Sequence, residues 1–511
     1  MRTQERPSGQ PDKIRCCIAV YGCAKNQVDA EEMASRLTAA GYELTGDAGE
    51  ADVVIVHTCG FIEDAKKESI EGIFQAVEAV KDRPDAIDVR DAEGVANAGD
   101  VSTAGTMRET SVPVIVTGCL SQRYPDELLK EIPEIAGVAG TAAPRDIVEI
   151  VGDVLRRDRA GRVRRVGTPG RGAPGSEGES IRFDTHLKRP WAYLRVAEGC
   201  RHHCTYCAIP SIRGGLTSRP EDEIIAEARH LSSLGIVELN LIAQDLSDYG
   251  YDRDGKRRLA RLVRRLSGVP GVRWIRLLYV RPDGVDDELA ESMALPNVAP
   301  YIDLPVEHGS PRILRLMGRP GTEQILRAVE RLRKRVPDLY LRTTVITGFP
   351  GETEQDVLAT ADLLCEIGAH RVGVFPFSRE EGTAAYNLPG VVPGHVARDR
   401  AEYLRRLGLS LSAESAAAMV GKEIGVLLER PSLRPGYWIG RGPHQAPEVD
   451  GVTYVKITGQ GSEGRPADAS LSSPASGAHL TSDTAHAGDR FIRACVTSPG
   501  ILTLFAHETL V

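Results

Sequence analysis

The stretch GCRHHCTYC carries three cysteines within eight residues, Cys200, Cys204 and Cys207. Three thiolates in this C-x3-C-x2-C spacing can hold a cube of four irons and leave one iron open, as a catalytic metal keeps a position free for its substrate. The alternative is a zinc site with His202 or His203 as the fourth ligand. Zinc motifs favour paired C-x2-C units, so the spacing favours an iron–sulfur cluster.

A second set of three cysteines is scattered along the N-terminal part of the chain. Cys23, Cys59 and Cys119 lie 36 and 60 residues apart, and each follows a predicted parallel strand. The carboxyl ends of parallel strands converge on one crevice of an open sheet. A glycine adjoins each cysteine, which would let the backbone approach a bulky inorganic group. One such cysteine would be a buried thiol by default, but three in equivalent positions favour a shared cluster, again with one iron open.

Composition restricts the class of protein. The 511 residues include 41% hydrophobic and 26% charged side chains, with a net charge of −8. This predicts a globular protein of about two to four domains. The N-terminus is polar and no apolar run reaches the length of a membrane span, so we expect a cytoplasmic protein that does not contact a membrane. An acidic chain suits a basic partner better than nucleic acid.

Ten cysteines in such a chain favour metal ligation or redox chemistry over structural disulfides. Four of them belong to neither set of three: Cys16, Cys17, Cys365 and Cys495. We interpret these four as small buried hydrophobic side chains.

The N-terminal segment, residues 14–155, alternates apolar runs with amphipathic patterns. The runs IRCCIAVYGC, ADVVIVHTC and VPVIVTGC predict buried strands, and NQVDAEEMASRLTAAG and EDAKKESIEGIFQAVEAV predict helices between them. Continuous apolar strands alternating with helices indicate an α/β domain with a doubly wound parallel sheet. Residues 82–111, rich in Asp, Gly and Ala, predict an exposed insertion, and residues 156–185 a linker.

The central segment, residues 186–417, contains six strand candidates separated by helical patterns. They are AYLRVAEG, VELNLIAQD, WIRLLYV, YIDLPV, LYLRTTVITGF and RVGVFPF. Six units are too few for a complete eight-fold barrel but predict a partial (β/α)6 barrel, with its site at the carboxyl ends of the strands. The loop of Cys200 follows the first of these strands.

The C-terminal segment, residues 419–511, loses the helical periodicity. Its short runs EIGVLLER, YWIGRG, VTYVKI, RFIRACV and ILTLFAHE predict a small OB-like β-barrel. Residues 459–488, rich in Ser, Ala, Gly and Pro, predict a disordered loop. We expect the N-terminal sheet and the partial barrel to fold as separate cores.

Two sets of three cysteines and a terminal β-barrel resemble the layout of the radical S-adenosylmethionine methylthiotransferases. The matching stretches are GCAKNQVDAEE, HTCGFIEDAKKESI, TGCLSQRY, AEGCRHHCTYCAIPSIRG, TGFPGET, FSREEGTAA and QAPEVDG. The sequences of these stretches are most similar to those of the family members that modify an aspartate of a ribosomal protein. Glu307 in LPVEHGS departs from the family, which more often has a Leu-Gln pair before the histidine.

The resemblance implies the fold and the reaction. The central segment would be a radical-SAM barrel and the C-terminal barrel would be TRAM-like. The reaction replaces a C–H at the β-carbon of one aspartate, in the twelfth protein of the small ribosomal subunit, with C–SCH3. An unactivated C–H bond offers no acidic proton to a general base, so the chemistry needs a radical, which a cofactor supplies. The sequence singles out no catalytic side chain besides the ligands.

The resemblance also implies the cofactors and partners: two 4Fe-4S clusters and two molecules of S-adenosylmethionine. Cys200, Cys204 and Cys207 would hold the cluster that binds and cleaves S-adenosylmethionine. The scattered set of Cys23, Cys59 and Cys119 would hold an auxiliary cluster that carries the sulfur. The partners would be the small-subunit ribosomal protein or the assembled small subunit, and a flavodoxin- or ferredoxin-like reductant.

The nearest alternative is a methylthiotransferase that acts on an adenosine of transfer RNA. From Val420 to Val511 the chain has eight Lys and Arg against nine Asp and Glu, a net charge of 8 − 9 = −1. This balance is unfavourable for binding phosphates and suits a basic ribosomal protein. A further alternative is a non-catalytic iron–sulfur or zinc scaffold on the ribosome, which would not cleave S-adenosylmethionine.

Overall fold

The computed structural model describes residues 13–81, 112–156, 162–169, 189–457, 490–499 and 503–508. The insertion predicted at residues 82–111 and the loop predicted at residues 459–488 lie outside the described residues. The chain divides into two compact units. The first unit takes its residues from Met1–Asp184, Ala197–Arg219 and Ser378–Tyr386, and the second from Thr185–Val196, Pro220–Phe377 and Asn387–Val511. The domain boundaries expected from the sequence stay predictions.

The first unit is built on a parallel sheet, as the sequence predicts. In the described residues this sheet has six strands in the order β2-β1-β3-β4-β5-β6. The strands are β1 (Arg15–Val20), β2 (Glu43–Thr45), β3 (Val53–Thr58), β4 (Val114–Gly118), β5 (Gly137–Ala139) and β6 (Val163–Arg165). The helices that accompany them are α1 (Ala24–Ala39), α2 (Glu63–Val80), α3 (Cys119–Arg123), α4 (Pro125–Glu131) and α5 (Ala143–Arg156).

Two apolar clusters cover opposite faces of this sheet, because successive strand residues point to opposite sides. One cluster packs Met33 and Leu37 of α1 against Ile55 of β3. The other packs Ile73 of α2 against Val54, also of β3. All six residues of β3 are buried. Helices on both faces of a parallel sheet confirm the doubly wound arrangement.

The predicted linker at residues 156–185 contains a strand of this sheet. Val163 of β6 is buried, and its backbone N–H donates to the Ala136 carbonyl 3.0 Å away. Three residues are too short a run to show a periodicity, so sequence patterns miss β6, as they miss β2 and β5. The remainder of the first unit includes β8 (Ala197–Glu198), α6 (Ile209–Arg213) and β9 (Thr217–Ser218).

The four cysteines outside the two sets differ in their burial. Cys16 and Cys17 are buried in β1, on opposite faces, which confirms their interpretation as small hydrophobic side chains. The same interpretation is wrong for Cys365, which is exposed, and Cys495 is only partly buried. A helix turns its residues through all directions, so an apolar type alone does not fix which face Cys365 occupies.

The second unit contains the predicted partial barrel. Within the described residues its sheet has six parallel strands in the order β14-β13-β12-β11-β10-β7. The strands are β7 (Trp191–Arg195), β10 (Glu238–Ile242), β11 (Trp274–Leu277), β12 (Val298–Asp303), β13 (Tyr340–Thr347) and β14 (Arg371–Pro376). The helices are α7 (Glu221–Ser233), α8 (Tyr251–Asp254), α9 (Leu259–Ser267), α10 (Asp287–Met293), α11 (Pro311–Met317), α12 (Thr322–Arg335), α13 (Glu354–Glu366) and α14 (Gly394–Ala417).

A small closed β-barrel completes the second unit, as predicted. Its strands are β15 (Glu423–Pro431), β16 (Tyr437–Arg441), β17 (Val452–Lys456), β18 (Phe491–Pro499) and β19 (Thr503–Glu508). Val426, Val455 and Val496 fill its core. No helix among the described residues has the length and apolar character needed to cross a membrane.

A buried ion network joins the barrel to the central sheet. The Glu238 carboxylate, at the start of β10, is fully buried and accepts hydrogen bonds from Arg276 at 2.9 Å and from Arg441 of β16 at 3.2 Å. Burial alone would raise the pKa of Glu238, but the two guanidinium groups outweigh it and the pKa is lowered. The central sheet and the C-terminal barrel therefore share a buried junction within the second unit.

Asp450 reinforces this junction from the loop between β16 and β17. Its buried carboxylate accepts hydrogen bonds from the Tyr301 hydroxyl at 2.6 Å and from Arg342 at 2.7 Å. It also accepts the backbone N–H of Ala446 at 3.0 Å. The QAPEVDG stretch thus anchors the barrel to strands β12 and β13.

Replacing Arg441 with alanine should strongly destabilise the second unit. The change removes one of the two guanidinium groups that pair with the buried Glu238 carboxylate and leaves only that of Arg276. Breaking a buried ion pair costs about 3–5 kcal/mol. The measurement is the free energy of unfolding from chemical denaturation.

Arg493→Ala is the matched control, because Arg493 pairs with Glu423 in the same barrel but its side chain is 68% exposed. That change should cost less than about 1 kcal/mol. Equal losses in the two variants would show that the buried network does not hold the barrel.

Candidate functional site

The structure brings Cys23, Cys59 and Cys119 to one edge of the first sheet. They follow β1, β3 and β4, which are neighbouring parallel strands whose ends are in register. Cys23 caps α1, Cys59 comes directly after β3, and Cys119 is the first residue of α3. After β1 the chain adds β2 on one side of this strand and then β3 on its other side, so the direction of strand addition reverses there. Ligands of open α/β sheets bind at such a switch point.

The glycines beside these cysteines allow the three loops to pack closely. A Cβ on Gly22 would lie 2.6 Å from the Cβ of Cys59, and one on Gly60 would lie 2.8 Å from the backbone of Leu120. Gly118 has a φ of +99°, and a Cβ there would lie 2.6 Å from the Thr58 carbonyl oxygen. The close approach that glycine permits is therefore between neighbouring loops.

The thiols of this set differ in exposure and influence one another. Cys59 and Cys119 are buried, whereas Cys23 is exposed. The pKa of Cys59 is raised to about 12, mainly by burial and in addition by the nearby Cys119 and Cys23. Burial also raises the pKa of Cys119, while the Arg213 guanidinium opposes that shift. Three converging sulfur donors match the ligands that iron–sulfur clusters use, so the residues fit such a group.

Buried polar side chains support the loops that carry these cysteines. The Asn26 side chain donates hydrogen bonds of 2.9 Å to the carbonyls of Tyr21 and Thr58, which ties the loops after β1 and β3 together. His57 lies 2.8 Å from the Thr117 hydroxyl, so the residues just before Cys59 and Cys119 are also linked. Sequence reasoning missed these residues, although Asn26 and His57 lie within the stretches that carry the resemblance.

The loop of Cys200, Cys204 and Cys207 belongs to the first unit, although it follows β7 along the chain. The Cys207 N–H donates to the Cys204 carbonyl at 3.0 Å, and the Cys200 N–H donates to the Gly214 carbonyl at 3.1 Å. The His202 N–H lies 3.4 Å from the Cys200 sulfur. All three cysteines are partly exposed, as ligands of a cluster that meets a substrate would be.

The loop and the scattered set meet within the first unit. Cys119 packs against Ala208 and Ile212, which follow Cys207 in the chain. The Arg213 side chain, at the end of α6, contacts the Cys119 sulfur at 3.4 Å. The two sets of three cysteines, separate in the sequence, thus lie on adjoining elements.

The segment Ser378–Tyr386 contacts the elements of both sets. The Glu380 carboxylate is buried and pairs with Lys66 at 2.8 Å and with Arg123 of α3 at 2.6 Å. Burial would raise the pKa of Glu380, but hydrogen bonds from Lys66, Ser378 and Arg123 lower it. Further along, the Ala385 N–H donates to the Thr205 carbonyl, inside the cysteine loop, at 2.7 Å.

Two non-glycine residues at the carboxyl edge of the second unit's sheet adopt left-handed backbone. Tyr279 follows β11 with a φ of +62°, and Glu307 follows β12 with a φ of +69°. Glu307 is held by backbone hydrogen bonds to Thr344 and Ile346, and its carboxylate lies 3.8 Å from Arg319. Strained backbone of this kind clusters at functional sites. Glu307 departs from the family pattern, and in this structure Arg319 is the local partner of its side chain.

Three family models match the chain. The radical SAM superfamily matches residues 194–364, the uncharacterized protein family UPF0004 matches residues 15–140, and the TRAM domain matches residues 420–473. The three matched segments fall on the central sheet with the cysteine loop, the N-terminal sheet and the C-terminal barrel.

The fold is similar to solved radical S-adenosylmethionine enzymes. A structure of the radical S-adenosylmethionine methyltransferase TsrM from Kitasatospora setae, with cobalamin and a [4Fe-4S] cluster bound, has a TM-score of 0.50. It is 14% identical, and the match covers 86% of this chain and 81% of that one. At this identity the likeness concerns the fold alone.

Curated relatives match most of the chain. A protein of Moorella thermoacetica named ribosomal protein uS12 methylthiotransferase RimO is 41% identical over 87% of this chain and 93% of its own length. Proteins of the same name from a Synechococcus species and from Geobacter sulfurreducens are each 40% identical, over 90% and 87% of this chain and 89% and 93% of their own lengths. The chain therefore belongs to the RimO family of radical S-adenosylmethionine methylthiotransferases.

Proposed function

We propose that this protein methylthiolates the β-carbon of one aspartate in ribosomal protein uS12, using two 4Fe-4S clusters and two molecules of S-adenosylmethionine. The observation that carries the proposal is the meeting of two sets of three cysteines in one unit. Relatives at about 40% identity that bear the name uS12 methylthiotransferase support the choice of substrate.

In this proposal the two sets have different tasks. Cys200, Cys204 and Cys207 hold the radical cluster on a partly exposed loop, which S-adenosylmethionine can reach. Cys23, Cys59 and Cys119 hold the auxiliary cluster. When bound, the clusters supply the electron that cleaves S-adenosylmethionine and a site for the sulfur to be transferred.

The surrounding residues shape the site around these ligands. Burial of Cys59 and Cys119 keeps water from two of the auxiliary ligands, while Cys23 leaves the auxiliary set open on one side. Glu380, through Lys66 and Arg123, holds the Ser378–Tyr386 segment against α2 and α3. The same segment contacts the cysteine loop at Thr205, so it fixes the loop relative to the auxiliary set.

The partners follow from charge and chemistry. The C-terminal segment from Val420 has a net charge of −1, which suits a basic ribosomal protein, free or within the assembled small subunit. Reductive cleavage of S-adenosylmethionine requires an electron donor, and we assign this role to a flavodoxin- or ferredoxin-like protein. We place the reaction in the cytoplasm, where ribosomes assemble.

Anaerobic reconstitution should give about eight irons and eight sulfides per chain, because two cubes of four irons are held. Iron and acid-labile sulfide assays measure both values, and Cys365→Ala is the matched control. Cys365 is exposed on α13 and belongs to neither set, so its loss should leave the iron content unchanged. An iron content that does not rise above about four per chain after complete reconstitution, or the presence of bound zinc, would rule out two iron–sulfur clusters.

Cys204→Ala and Cys59→Ala should separate the two tasks. Cys204→Ala should halve the iron content and abolish formation of 5′-deoxyadenosine, because the radical cluster loses a ligand. Cys59→Ala should also halve the iron but retain reductive cleavage of S-adenosylmethionine, with no transfer of a methylthio group. Chromatographic assays of 5′-deoxyadenosine and of methylthiolated product measure the two activities. Normal product formation by a one-cluster Cys59→Ala protein would refute the auxiliary role.

Mass spectrometry of ribosomal proteins should identify the substrate. In cells with the gene, uS12 should carry one methylthio group on an aspartate, and deletion of the gene should remove it. Complementation with the Cys204→Ala variant should not restore it. If uS12 were unmodified and transfer RNA lost a methylthio nucleoside on deletion, the nucleic-acid alternative would be correct.

A further inference from the structure

Arg213 lies at the meeting point of the two cysteine sets and is not explained by ligation. It ends α6, which begins two residues after Cys207, and its side chain is 3% exposed. A buried guanidinium needs compensating partners, because an unpaired charge in the protein interior costs several kcal/mol or more. Its partners therefore indicate its task.

Each nitrogen of the Arg213 guanidinium has at least one partner, and Nη2 also donates to the Asn26 side-chain oxygen at 3.4 Å. Nη2 donates to the Asp29 carboxylate at 2.9 Å, Nη1 lies 3.3 Å from the Glu198 carboxylate, and Nε points to the Cys119 sulfur at 3.4 Å. The planar guanidinium presents its donors in a fixed fork, so the two carboxylates orient the Nε–H toward sulfur.

The carboxylate that orients Arg213 is itself held in place. Asp29 of α1 is buried and lies 3.4 Å from Nε2 of His57, whose other ring nitrogen lies 2.8 Å from the Thr117 hydroxyl. This chain of contacts runs from Arg213 to β3 and β4, the strands that directly precede Cys59 and Cys119. Buried, connected polar groups of this kind hold their members rigidly.

A donor aimed at a ligand sulfur has a defined effect on a bound cluster. Hydrogen bonds to the sulfurs, net charge and solvent exposure set the reduction potential of iron–sulfur clusters. Adding an electron makes the cluster more negative, so a nearby N–H donor stabilises the reduced form and raises the potential. Inside a buried network this effect is stronger than it would be in water.

We propose that Arg213 is a positioning residue that raises the reduction potential of the auxiliary cluster through an N–H···S hydrogen bond to Cys119. This inference rests on the proposed function, since it requires a cluster at Cys23, Cys59 and Cys119. Arg213 lies on the helix that follows the radical-cluster cysteines. The arrangement of the radical loop therefore affects the electronic properties of the auxiliary site.

The test uses the full-length chain with Cys204→Ala, in which the auxiliary cluster alone contributes a signal. Arg213→Lys is added to it, because lysine keeps the positive charge that Asp29 and Glu198 require but lacks the fork that reaches sulfur. A redox titration followed by electron paramagnetic resonance should show a lower midpoint potential at unchanged iron content. An unchanged potential with the cluster bound would overturn the proposal.

Arg15→Lys is the matched control. Arg15 is the first residue of β1, so it lies at the end of this strand that is opposite to Cys23. Its side chain pairs with Asp52 at 3.5 Å. This variant should leave the midpoint potential unchanged. An equal shift in both variants would mean that the potential responds to general loss of arginine packing, which would also overturn the proposal.

A second measurement does not depend on the folding of an Arg213 variant. Protein with Cys204→Ala and guanidino-15N-labelled arginine should show a 15N coupling to the reduced cluster in pulsed electron paramagnetic resonance. Absence of any arginine coupling would overturn the hydrogen bond directly. If the Cys204→Ala protein held no iron at all, the two-cluster proposal itself would fail, and this inference with it.

Discussion

The contact between Arg213 and Cys119 is the interaction that joins the two sets of three cysteines within the first unit. Arg213 lies just after the loop of Cys200, Cys204 and Cys207, and Cys119 begins the helix after β4. The guanidinium can stay buried there because Asp29 and Glu198 compensate its charge. Two loops that are far apart in the chain are thereby fixed against each other, and the packing of Ile212 on Cys119 adds to the contact.

The second unit uses the same physical device at a different place. Glu238 begins a strand of the central sheet and is buried between Arg276 and Arg441, the latter from the barrel. Because a buried carboxylate is costly without partners, the barrel is part of the core that keeps β10 in place. A chain that lost its C-terminal barrel would therefore lose stability in the central sheet as well as any role of the barrel in recognition.

Much of the fold could be predicted from local patterns. The apolar runs that predict β1, β3 and β4 correspond to buried parallel strands, and the run from Glu63 to Val80 matches α2 in full. The strands are continuous apolar runs because they are buried on both faces, and α2 is long enough to show a helical period, so each leaves a recognisable pattern in the sequence. The short strands β2, β5 and β6 carry too few residues for a pattern, and β6 falls in a range that composition alone describes as a linker.

The sequence by itself determined which cysteines are candidate ligands, because the spacing of Cys200, Cys204 and Cys207 is local and the scattered cysteines each follow a strand. It also determined the family. Tertiary structure alone decided that both sets lie in one unit, and that Asp29, His57 and Arg213 connect them. Such contacts join residues far apart in the chain, and a buried charge chooses its partners by geometry and desolvation, which no local pattern encodes.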